Sequence, residues 1–165
     1  MKLTKPERNG ALQLIPGAQR LPIMNQEYLR AIVNTFVLRS RRSRFLGFLK
    51  STKRYSDLLH ELLHDPRNFD PDVIVQLLGN ESSVNHVFAQ LRALGAGPEG
   101  YLMGDCGNFE DGHVAKLRTL LEACVGSMED ALVYCPDAMA AYYEGHEGFA
   151  YILRSTPSKR PRRSE

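Results

Sequence analysis

The hydrophobic pattern changes period near the middle of the chain, and that change limits the fold more than any other feature. From Tyr28 to Leu94 most apolar residues recur at helical spacing, whereas from Tyr101 onward they gather mainly in runs of three to five, the length of buried strands. The first helix is capped by Asn25 and carries Tyr28, Leu29, Ile32, Val33, Phe36 and Val37 on one side. A basic turn from Arg39 to Arg44 follows, then Phe45, Leu46, Phe48 and Leu49. A second helix runs from near Ser51 to about His64 with the stripe Tyr55, Leu58, Leu59, Leu62 and Leu63. It stops at Asp65, because the residue before Pro66 avoids helical geometry.

Residues 70 to 79 carry both signals: Asp70, Pro71 and Gly79 read as cap, first turn and stop of a helix, while Val73, Ile74 and Val75 favour a strand. Another helix spans Asn80 or Ser82 to Leu94 and is closed by Gly95 and Gly97. Beyond it the expected order is a strand at Tyr101–Met103 and a helix capped by Asp111 and ended by Gly126. Three strands then follow, Ala131–Cys135, Met139–Tyr143 and Phe149–Leu153. Glu144 to Gly148 joins the last two as a hairpin. The fold class is therefore α+β, a helix-rich N-terminal half packed on one side of a small mixed sheet of about four strands formed by the C-terminal half. Residues 1–23, rich in proline and glycine, are expected as a mobile leader, 24–154 as a single domain and 155–165 as a basic mobile tail.

Composition excludes several classes. With 43% hydrophobic and 24% charged residues the chain is globular in balance, and it has no apolar run of the length a membrane span needs. A membrane partner is not expected, and nothing in the N-terminal residues reads as an export signal. Cys106, Cys124 and Cys135 are odd in number and not spaced as a zinc knuckle or redox pair. They read as reduced, mostly buried thiols of a cytoplasmic protein.

Charge is strongly segregated. Residues 1–56 hold twelve Lys or Arg against two acids, residues 57–153 four against sixteen. Such a division either meets a charged partner or joins the two regions across the fold.

Three groups carry candidate chemistry. His60, Glu61, Leu62, Leu63 and His64 satisfy the five-residue HExxH pattern, in which two imidazoles one turn apart bind zinc and the glutamate takes a proton from the metal-bound water. This stretch is similar to the zincin motif over five residues only; no third ligand follows at a zincin's spacing, Glu81 and His86 being the nearest candidates. His64 in a last helical turn is also explained by the carbonyl end of the helix.

The second group is Arg39, Arg41, Arg42, Arg44, Lys50, Lys53 and Arg54 with Phe45 and Phe48 between them, a composition that suits phosphate and base contacts, without a recognised nucleic-acid motif. The third is the loop of Asp105, Glu110, Asp111 and His113, whose oxygens and imidazole suit a divalent cation but lack the calcium-loop order. Glu144, His146 and Glu147 at the hairpin tip read as a solvated turn.

The expected function is a non-enzymatic binding or regulatory domain whose charge-segregated surface recognises another protein, with no cofactor. The alternatives are a zinc metallohydrolase through His60, Glu61 and His64, and a nucleic-acid-associated protein through Arg39 to Arg54. No sequence feature specifies an oligomeric state.

Overall fold

A computed structural model describes residues 23–155. The expected leader and tail lie outside these residues, except that Ile23 opens the first helix and the Ser155 amide donates to the Met139 carbonyl at 3.3 Å. Three helices come first: α1 (Ile23–Phe36), α2 (Arg39–Phe48) and α3 (Thr52–His64). After a short 3-10 turn at Pro71–Val73 comes β1 (Ile74–Gln76), so the two signals in residues 70–79 describe successive pieces of chain. Asp70 caps that turn, its carboxylate accepting from the Asp72 amide at 3.0 Å. The series continues with α4 (Val84–Ala93), β2 (Glu99–Met103), β3 (Val114–Lys116), α5 (Leu117–Cys124), β4 (Ala131–Cys135), β5 (Ala140–Glu144) and β6 (Ala150–Arg154).

The six strands form one sheet in the order β1-β6-β5-β4-β2-β3, with every pairing antiparallel. This corrects the expected mixed sheet of about four strands. The two additional strands, β1 and β3, lie at the edges and are three residues each, too short to show a period of two.

Both faces of the sheet are covered, which corrects the expectation of helices on one side. Tyr101, Met103, Leu132, Tyr134, Ala141, Tyr143 and Leu153 point toward α1, α2 and α3 and pack with Leu29, Phe36, Phe45, Leu58 and Leu62. The alternate residues Leu102, Val133, Cys135, Tyr142 and Ile152 point the other way, against Val87 and Leu91 of α4 and Leu117, Leu120 and Leu121 of α5. A strand buried on both faces needs an unbroken apolar run, and Ala131–Cys135 is such a run, buried throughout.

Three local expectations are corrected. Arg39 to Arg44 is helical, not a turn, because Phe45 and Phe48 at the far end of the same helix are buried and anchor it. α1 begins two residues before Asn25, whose side chain instead reaches the 105–113 loop: a Cβ on Gly112 would lie 3.0 Å from its amide nitrogen. Asp111 caps no helix, since a strand precedes α5; its carboxylate accepts from the Gly104 amide at 2.8 Å and the Tyr55 hydroxyl at 2.7 Å.

Candidate metal centre

The end of α3 is fixed to the sheet by Tyr143 of β5, whose buried hydroxyl donates to the Leu63 carbonyl at 2.6 Å. Gly104, just past β2, lets three segments close up here. At φ +89°, a Cβ on it would lie 2.8 Å from Leu63 Cδ1 and 2.7 Å from the Asp130 carbonyl, both well inside van der Waals contact. Register supplies the rest. Ala131 opposes Glu144, so Asp130, one residue before β4, faces the β5–β6 turn that carries His146.

These constraints bring His64, Asp130 and His146 together. Asp130 Oδ1 accepts from the His146 backbone amide at 2.8 Å and lies 2.8 Å from His146 Nδ1. Asp130 Oδ2 lies 3.1 Å from His64 Nδ1. The two imidazoles stack with centroids 4.3 Å apart at 9°, and His60 extends the column, 5.1 Å from His64 at 22°. One ligand atom from each of His64, Asp130 and His146 lies within 4.8 Å of the other two. Both rings reach solvent, with 51% of the His64 and 41% of the His146 side chain exposed.

The electrostatics follow from the contacts. The Asp130 hydrogen bond raises His146 above the ordinary histidine value, against a small opposing effect of desolvation. Burial works against the Asp130 charge, but the amide and ring of His146 and the ring of His64 outweigh it and hold that carboxyl below its usual range. Beside the cluster opens a cleft of about 610 Å³ lined by His64, Asp65, Pro66, Arg67, Glu147, Phe149 and Tyr151.

No family model, no curated protein and no solved structure matches this chain. Its chemistry is therefore read from its own side chains.

The structure divides the HExxH residues. His64 joins the cluster, His60 only stacks on it, and Glu61 is engaged by Arg44 at 2.8 Å. The partners of His64 come from elsewhere in the chain. His146 was visible as a histidine at a glycine-rich hairpin tip, whereas Asp130 carried no signal, being an acid in a turn like many others. Neither Glu81 nor His86 approaches; both line a separate cavity along β1.

The basic group is partly consumed by the fold. Arg41 donates to the Asn68 side chain, Arg42 to the Val37 carbonyl at 2.9 Å, and Arg44 to Glu61. Arg44 and Arg54 also lie over the Phe48 ring, at 5.7 and 5.2 Å. Arg39, Lys50 and Lys53 are exposed and in no ion pair among the described residues.

Both aspartates of the 105–113 loop are engaged: Asp105 accepts from the Asp111 amide at 2.8 Å, and Asp111 from the Gly104 amide and the Tyr55 hydroxyl. Burial raises the Asp111 carboxyl. Glu110 and His113 are exposed, with His113 tilted against Phe109. All three cysteines are free and buried, and burial pushes the Cys135 thiol up to about 12.

Proposed function

We propose that this chain is a zinc-dependent hydrolytic domain whose metal is held by His64, Asp130 and His146. The observation that carries the reading is the convergence of those three side chains from α3, the turn before β4 and the β5–β6 turn. Two imidazoles and a carboxylate are a zinc donor set, with bonds of about 2.0–2.2 Å, and the two half-exposed rings would have to rotate out of their present stack to close on an ion. Asp130 is held by the His146 backbone amide, which orients a ligand before the metal arrives. Three protein ligands leave a fourth position for water, the mark of a catalytic rather than a structural site. The two half-exposed rings open on solvent beside the cleft, and a zinc ion held there would lower the pKa of its water and supply a nucleophile at neutral pH. Glu147, exposed on the cleft wall with a carboxylate oxygen 4.0 Å from His146 Nε2, would accept the proton. Glu61 has no part in this arrangement.

The test is calorimetric titration of the metal-stripped protein with zinc, followed by an assay with 4-nitrophenyl acetate. The proposal expects one zinc per chain and hydrolysis that follows metal loading, with both lost in His146→Ala. Stoichiometric zinc without turnover would reduce the site to a metal-binding one; no zinc binding would end the proposal.

A second reading, recognition of an anionic macromolecule, is favoured by exposed Arg39, Lys50 and Lys53 on α2, its connection to α3, and α3. Retention of the chain on heparin that falls as salt rises and is lost in the triple glutamine variant would support it; retention indifferent to salt would contradict it.

A further inference from the structure

A different cavity, sharing no residue with the metal centre, has a volume of about 300 Å³ and is lined by Tyr28, Pro98, Glu99, Tyr101, Val114 and Asp137 among others. One part of its wall is aromatic. The Tyr28 ring lies 5.3 Å from Tyr101 at 54° and 6.0 Å from Tyr134 at 63°, so its orientation is set by two buried neighbours. The Tyr101 hydroxyl is buried and has no hydrogen-bond partner among the described residues, and Tyr101 contributes to the lining.

The other part is acidic. Glu99 and Asp137 are exposed, and neither is in an ion pair among the described residues. Asp137 lies close against the chain opposite: a Cβ at position 97 would stand 2.0 Å from its Oδ2, so a larger residue there would push the carboxylate aside. Pro98, Pro136 and Val114 complete the lining with apolar surface.

Two carboxylates outside any ion pair, one of them with Lys116 opposite it in the β2–β3 register, and the negative face of a tyrosine ring attract the same kind of ligand, a cation. Apolar walls favour one whose charge is wrapped in alkyl groups, and they disfavour a bare, strongly hydrated ion. An anion is repelled by the pair of acids, and a neutral molecule gains nothing from them. We propose that this cavity binds a small organic cation of the alkylammonium class. The assignment does not depend on the zinc reading.

An alkyl-wrapped ammonium arises in a free molecule or on a trimethylated lysine side chain, and the test separates the two. The whole chain, isotopically labelled, is titrated in amide NMR with choline chloride, with Nα-acetyl-Nε-trimethyl-lysine methylamide, and with 3,3-dimethylbutan-1-ol, the neutral isostere of choline, at constant ionic strength. The proposal expects at least one cation to shift the amides of Gly100, Tyr101 and Asp137, and the tighter of the two names the source. The alcohol binds more weakly by roughly fivefold or more, and Asp137→Asn and Glu99→Gln each weaken the better cation by a similar factor. Both substitutions are at exposed positions, and an otherwise unchanged amide spectrum checks that the fold is intact. The proposal is overturned if neither cation shifts those amides, if the alcohol binds as well as choline, or if both substitutions leave the cation's affinity unchanged.

Discussion

Asp130 uses its two oxygens for a backbone amide and two imidazoles, so its removal tests the site with least disturbance to the core. Asp130→Asn keeps the shape but weakens the ligand, and zinc affinity in calorimetry is expected to fall at least about tenfold. The pH dependence has a definite sign. In the metal-free protein the His146–Asp130 pair contributes stability that is complete below the ordinary histidine value of about 6.5 and is lost as pH rises through the raised value of His146. Zinc competes with the same protons, so its affinity rises over that interval; calorimetry at three pH values checks both directions. Sequence made His64 and His146 visible as isolated imidazoles. Their common partner was not legible, because it is chosen by strand register, and register depends on pairing between segments far apart in the chain.

Among the elements, α3 was the most legible. Its leucine spacing and Pro66 located both stripe and end, and it runs Thr52–His64 with Leu58, Leu62 and Leu63 buried. Leu62→Ala is expected to cost about 2–5 kcal/mol in urea unfolding. The same helix separates the two zinc readings: Glu61→Gln breaks only an exposed pair with Arg44 and should leave zinc affinity and ester hydrolysis within about twofold, whereas a zincin would lose its activity. The hairpin was legible from its two glycines, but α2 was hidden because four arginines outweigh the two phenylalanines that anchor it. Gly104 looked like an ordinary turn residue. Its close approach to Leu63 and Asp130 makes Gly104→Ala a strongly destabilising change, readable as a lowered melting temperature together with weakened zinc binding.

At the scale of the molecule, the site exists because three segments converge at one end: the C-terminus of α3, the start of β4 and the β5–β6 turn. Apart from α2 the helices on either face were legible from sequence, but their distribution over two faces was not. An unbroken apolar run such as Ala131–Cys135 reports burial without saying what covers each side. A ligand binding only the folded chain adds stability by mass action, so zinc should raise the melting temperature of the wild-type protein and leave His146→Ala unmoved. The most direct measurement is ring ¹⁵N NMR of histidine-labelled protein with and without zinc. The account predicts that nitrogens of His64 and His146 move to metal-bound shifts while those of His60, His86 and His113 do not. Coordination by His60 and His64 without His146, or no change in any ring, would contradict it.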